Sequence, residues 1–281
     1  MLVIKTKNDL RAELDKIDKE LSLGFVPTMG ALHEGHVSLI KRAAEENNHV
    51  VISIFVNPTQ FNNSEDLEKY PKTLDNDINL ISTVTNDAIV FAPSVTEIYE
   101  KDVTHKLYDF DGLDKVMEGE FRDNHFNGVG TIVEKLLRLV SPNKAYFGEK
   151  DFQQLRIIQK MTELQHIPVE ILGCEIVREK NGLAMSSRNE RLSDAIRLKA
   201  AFIYETLKTA KQKFGTENVV SIKNWVNKAF EQNVDFQLEY FEITDSATLT
   251  PAKKKHNNIK YRAFIAAYAE NVRLIDNLAL N

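Results

Sequence analysis

The 281-residue sequence holds one cysteine, one tryptophan and seven prolines, and what is scarce or missing closes off several classes of protein. A lone thiol, Cys174, cannot form an intramolecular disulfide, and its apolar setting in "VEILGCEIV" suits a buried, unreactive side chain. No run approaches the roughly 18 apolar residues that a membrane-crossing helix needs. The start, "MLVIKTKND", passes from a short apolar stretch straight into a charged, helix-like pattern with no signal-peptide core. Together these predict a cytoplasmic protein. Basic residues are not in excess: 36 Lys and Arg against 41 Asp and Glu leave a net charge of -5, which gives no chain-wide reason to bind nucleic acid. The basic run "KKKH" at 253–256 reads as a solvated loop. The two commonest phosphate loops, G-x-x-x-x-G-K-[ST] and G-x-G-x-x-G, are absent, and so is any internal repeat.

What remains is the composition of an ordinary globular protein, 43% hydrophobic and 27% charged, long enough for one large domain or two smaller ones. Short apolar runs alternate with stretches of helical period. "LGFVPT", "HVVISIFV", "DAIVFA", "KAYFGE" and "VEILGCEIV" read as strands; "HVSLIKRAAEE", "DLEKYPKTLDNDINLISTV", "GVGTIVEKLLRLV" and "FQQLRIIQKMTEL" read as helices. This alternation predicts an α/β fold, a Rossmann-like parallel sheet flanked by helices. Near residue 176 the pattern shifts to "RNERLSDAIRLKAAFIYETLKTAKQKF" and "VVSIKNWVNKAFEQ", both helical, with Ser193 or Asp194 as an N-cap. "FQLEYFEITD" and "YRAFIAAYAENVRLID" follow as strands. Two domains are expected, 1–176 and a smaller α+β domain over 177–281.

In open parallel sheets, ligands bind beyond the carboxyl ends of the strands. Three polar segments follow strands: "PTMGALHEGH", "NPTQF" and "GEKDFQQ". In the first, Gly30 and Gly35 permit close backbone approach, and His33 and His36 fall at a helix entrance, where N–H groups and the helix dipole favour phosphate. Two further readings of the pair stay open: a turn with no ligand, and zinc, although no cysteine pair or second histidine cluster is at hand to complete a zinc site. "GEKDFQQ" places Lys150 beside carboxylates and amides, and "AMSSRNERLS" offers hydroxyls and an arginine suited to phosphate or to a helix cap.

"PTMGALHEGHVSLI", "FVNPTQF", "YPKTLDND", "FGEKDFQQL" and "MSSRN", in this order, resemble the successive motifs of the pantothenate synthetase family, with a weaker echo at "RLIDN" (residues 273–277). That family belongs to the H-x-G-H nucleotidyltransferases, related in fold to the class I aminoacyl-tRNA synthetases. The resemblance implies an AMP-forming ligase: the pantoate carboxylate attacks the α-phosphorus of ATP, and β-alanine then displaces AMP from the pantoyl adenylate. It implies catalytic roles for His36, His33, Lys150 and Arg188, with His36 in the family's place of proton donor. ATP would be bound by Met29, Gly30, Ala31, Leu32, His33, Glu34, Gly35 and His36, by Gly148, Glu149, Lys150 and Asp151, by the backbone of Val177, and by Met185, Ser186, Ser187 and Arg188. Gln60 is implied for pantoate and β-alanine, Gln154 for pantoate, and Asp77 for a Mg²⁺ ion accompanying ATP. The C-terminal domain would close over the site. A homodimer without nucleic-acid or membrane partners is the family expectation. Departures occur at "FRDNHFNGVGT", where Asp123 replaces a common proline and Gly130 a common alanine, while Arg122 and His125 keep a basic lip. Two alternatives remain. One is another H-x-G-H enzyme transferring AMP or CMP to a phosphorylated acceptor such as phosphopantetheine. The other is a nucleotide-binding module without turnover.

Overall fold

Phe25 and Val26 are neighbours in "LGFVPT" and both are fully buried. Successive strand side chains point to opposite faces, so the sheet they build has to be covered on both sides. The computed structural model describes residues 1–61, 67–68, 70–100 and 102–281. Its first unit, residues 1–114, 118–149 and 154–175, contains six parallel strands: β1 (Leu2–Ile4), β2 (Leu23–Thr28), β3 (His49–Ile54), β4 (Ile89–Phe91), β5 (Lys144–Gly148) and β6 (Glu170–Cys174). They lie in the order β1-β4-β3-β2-β5-β6. The predicted α/β class is therefore the observed one. β1 carries no sequence signal as a strand; three residues are too few to display a period, and it pairs only with β4 at the sheet edge.

The helices are α1 (Lys7–Leu14), α2 (Glu34–Glu46), α3 (Leu74–Ser82), α4 (Val95–Tyr99), α5 (Glu118–Phe121), α6 (His125–Val140) and α7 (Phe152–Leu164). α2 turns Leu39, Ile40 and Ala43 into a core shared with Val26, Val50, Ile52 and Val90 of the sheet. α6 buries Val129, Ile132, Val133, Leu136, Leu137 and Val140, a spacing of three and four that makes one apolar face. The helix predicted over residues 66–84 is shorter: Asp66 and Lys69 lie outside the described residues, and residues 71–73 are not helical. Pro71 lacks the N–H and disfavours helix in the residue before it, so α3 begins only at Leu74.

The second unit comprises residues 115–117, 150–153 and 176–281. It holds α8 (Asp194–Lys199), α9 (Ala201–Phe214), α10 (Val219–Glu231) and an antiparallel sheet β7-β8-β9, spanning Gln237–Asp245, Tyr261–Ala269 and Val272–Ala279. Ser193 is the N-cap of α8, accepting from the Ile196 N–H. The run read as continuous over 261–276 is two strands. Glu270 and Asn271 take φ of 48° and 63°, the left-handed pair of a two-residue hairpin turn, made here without the usual glycine. Ile203, Leu207, Ile222, Val226, Ile243, Ala263 and Ile265 form the core between these helices and the sheet.

Candidate active site

The chain leaves β2 for β3 on one side of the sheet and later returns to place β5 on the other, which makes the carboxyl end of β2 the switch point where such sheets bind ligands. β2 and β3 end level, Thr28 opposite Ile54. The Thr28 hydroxyl donates to Ser53 O (2.8 Å) and accepts the Gly30 N–H (3.2 Å). Gly30 and Ala31 then take φ of 78° and 50°, a left-handed step that glycine makes freely and alanine only under constraint. The constraint is Asp77, reaching in from α3. Its Oδ2 accepts from Ala31 N (3.1 Å), and its Oδ1 from Leu32 N (2.8 Å) and from the Thr73 hydroxyl (3.3 Å). At 2% exposure, the Asp77 carboxylate is a clamp on the turn. Asp77 is also the residue expected to accompany Mg²⁺, and each of its oxygens accepts from a backbone N–H of the turn.

The turn delivers His33 as the N-cap of α2. His33 Nδ1 accepts from Gly35 N (3.1 Å), and His36 Nδ1 accepts from His33 N (3.3 Å), so the H-x-G-H signature is a capping box built from two imidazoles. The rings lie 4.2 Å apart between centroids. With Nδ1 accepting from a backbone N–H, Nε2 is the nitrogen left to donate from each ring. Glu34 of the same signature is exposed.

Gln60 is held on every side. Asn57, 1% exposed, donates from Nδ2 to Gln60 Oε1 (3.0 Å) and to Gly128 O (3.3 Å), while its Oδ1 accepts from the Tyr99 and Thr59 hydroxyls (2.6 and 3.2 Å). Burial pushes the Tyr99 phenol up, with Thr59 and Asn57 opposing; it therefore remains a donor. With Oε1 turned to Asn57, Gln60 Nε2 lies 3.1 Å from Met29 Sδ. The side chain implied for pantoate and β-alanine thus touches the turn implied for ATP. The Gln60 carbonyl accepts from Arg122 Nη2 (3.2 Å) and sits 2.9 Å from His125 Nδ1. Arg122 and His125, the two residues expected as a basic lip, both meet this backbone. α6 comes so close that a Cβ on Gly128 would stand 2.2 Å from Thr59 O. Gly130, the departure from the family's alanine, gives room to a stacked pair: its Cβ would lie 3.1 Å from the Tyr108 ring. Asn57, Tyr99 and Gly128 did not stand out as functional residues; Asn57 alone had a signal, its place beside Gln60 in "NPTQF".

Among the remaining candidates, Gly148, Glu149 and Gln154 belong to the first unit, Gln154 half-buried on the first turn of α7. Lys150, Asp151, Val177, Met185, Ser186, Ser187 and Arg188 belong to the second. Lys150 Nζ lies 3.8 Å from Asp151 Oδ2. Val177, read as a strand residue, falls beyond β6, and its carbonyl accepts from Met185 N (3.0 Å). Val177 and the "MSSR" motif are therefore two sides of one hairpin, and the Val177 C=O is engaged within the chain. Ser186 Oγ accepts from Arg188 N (3.2 Å). Asn189, 1% exposed, donates to Ala184 O (3.1 Å) and Glu179 Oε1 (2.7 Å), closing the hairpin from the far side of the motif.

The described residues include no group of three or more His, Cys, Asp or Glu side chains able to hold a metal ion, and no helix long and apolar enough to cross a membrane. A family model described as pantoate-beta-alanine ligase matches residues 2–279. The chain is 54% identical over 282 residues to a pantothenate synthetase of Christiangramia forsetii and 52% identical over 281 residues to that of Flavobacterium psychrophilum, each comparison covering all of both chains. The crystal structure of pantothenate synthetase from Thermus thermophilus superposes with a TM-score of 0.92 at 38% identity, covering 100% of this chain and 99% of that one. The pantoate-beta-alanine ligase from Francisella tularensis, complexed with beta-gamma ATP and beta-alanine, gives 0.83 at 36% identity, covering 100% and 98%.

Proposed function

The chain belongs to the pantoate–β-alanine ligase family, and from that premise we propose how its residues divide the work of joining the two substrates with ATP. As a member it is an ATP-dependent ligase that forms an amide bond. A carboxylate oxygen of pantoate attacks the α-phosphorus, and the bond to pyrophosphate breaks. The amine of β-alanine then attacks the acyl carbon of the adenylate, sheds a proton, and AMP departs. Attack of one anion on another calls for charge neutralisation and alignment before any acid or base.

The observation that carries the assignment is the imidazole capping box. With Nδ1 of both rings taken by backbone N–H groups, His33 and His36 act as Nε2–H donors to phosphate oxygens. His36 stabilises charge on the phosphates through that hydrogen bond. Met29, Gly30, Ala31, Leu32 and Gly35 shape the turn against the nucleotide, the N–H groups of Gly30, Ala31, Leu32 and Gly35 being used within the turn itself. Lys150 and Arg188 supply the full positive charges, Ser186 and Ser187 the hydroxyls, and Gly148, Glu149, Asp151, Val177 and Met185 line the nucleotide's path. Gln60 reads pantoate and β-alanine with an amide whose orientation Asn57 sets, and Gln154 reads pantoate. Mg²⁺ would accompany ATP, held chiefly by the phosphates and by water as that ion prefers, and Asp77 would act on it through the turn that it clamps. A homodimer in the cytoplasm completes the proposal.

The test is an omission assay. Purified protein with ATP, Mg²⁺ and pantoate is expected to release pyrophosphate, and added β-alanine to release AMP. No turnover with all substrates present would sink the proposal, and pyrophosphate release only once β-alanine is added would rule out the adenylate.

A further inference from the structure

Lys150 and the 185–188 motif come from separate stretches of chain, and two consecutive side chains of β9 hold both. Asn277, 1% exposed, donates from Nδ2 to the backbone O of Lys150 at 3.0 Å, while its Oδ1 accepts from Arg262 Nη1. Asp276, 3% exposed, takes Arg178 in a two-pronged grip of 2.6 and 2.9 Å, and its Oδ1 also accepts the Asn277 N–H at 2.7 Å. The Arg178 guanidinium donates to Gly182 O (3.0 Å) and stacks 3.6 Å from the Tyr204 ring centroid. Arg178 bridges to Ala184, so it anchors the hairpin whose second side runs directly into Met185 and on to Arg188.

We infer that Asp276 and Asn277 are positioning residues, which register Lys150 and Arg188 to one another from a single strand. Asn277 fixes the backbone beneath the lysine; Asp276, through Arg178, fixes the hairpin that delivers the arginine. A buried ion pair contributes little net stability, because desolvation offsets its attraction, whereas a bidentate guanidinium–carboxylate pair specifies geometry closely. Apolar residues in β9 would stabilise the unit as well and would place neither cation. The inference rests on the proposed roles of Lys150 and Arg188.

Asn277→Asp tests it, since the change keeps the shape and the acceptor for Arg262 and sets an acceptor oxygen against the Lys150 carbonyl in place of the donor. In pyrophosphate release from ATP and pantoate, kcat/KM for ATP is expected to fall about 10- to 100-fold, the scale of a misplaced catalytic group. The thermal midpoint should stay within a few degrees and the KM for β-alanine should hold. Arg178→Lys, which keeps the charge and loses the fork, is the second variant and should show the same split. Wild-type adenylation in both folded variants overturns the inference, as does equal slowing of both half-reactions with a lowered midpoint, or failure of both variants to fold. Lys150→Ala separates the two layers. Full adenylation by that variant overturns the role of Lys150 itself, while its inactivity beside an unaffected Asn277→Asp overturns only the positioning.

Discussion

Each signature histidine has two nitrogens with separate tasks: Nδ1 closes the helix N-terminus, and Nε2 is the donor proposed for the phosphates. The two tasks can be pulled apart. His36→Gln can still offer an oxygen to the His33 N–H, so the thermal midpoint is expected to change little. Adenylation should fall about 100- to 1,000-fold, the usual loss when a donor to a developing oxyanion is removed; near-normal pyrophosphate release would show that His36 only caps. Both roles trace to one spacing. A residue three positions after an N-cap faces back to it, so the pair was legible in the sequence, while the nitrogen left to donate was not, since the backbone N–H groups that occupy Nδ1 take their places only when the turn folds.

Between elements, the decisive contact is α3 against the turn after β2. Asp77→Asn replaces one acceptor oxygen by an NH₂ that faces a backbone N–H, and leaving a buried donor unpaired costs about 1–3 kcal/mol. Urea unfolding is expected to show that loss, and added Mg²⁺ should not restore it. Unchanged stability with a shifted Mg²⁺ requirement would return Asp77 to the metal. "YPKTLDND" pointed to this aspartate through family likeness alone, because nothing in the motif indicates the partners at Ala31 and Leu32. Gln60 was singled out in the same way, and Asn57, which orients its amide, is held in turn by Tyr99 of α4 and Gly128 of α6.

Across the molecule, stability in acid follows the carboxylates that the fold holds ionised. Glu46 at the end of α2 is kept down to about 2, first by the hydrogen bond from Arg42 and then by that from Lys144, while burial is the main cause that pushes Tyr146 beside it up to about 12. A carboxyl with a lowered folded pKa stabilises above its unfolded value, 4.5, and loses that contribution as pH falls toward the folded one. The thermal midpoint of Glu46→Gln is therefore expected to lie below wild type at neutral pH, with the gap shrinking once pH drops below about 4.5; a gap constant with pH would remove Glu46 from the acid response. The sequence by itself determined the parallel sheet, the strand–turn–helix carrying two histidines, and the order of the motifs, because periodicity and capping act within a few residues. Tertiary structure alone decided that Asp77 clamps a turn 45 residues away and that Asn277 holds the backbone of Lys150 across 127. Hydrogen bonds between segments so distant in the chain leave no periodic trace, and they exist only once packing has brought a buried donor to its acceptor.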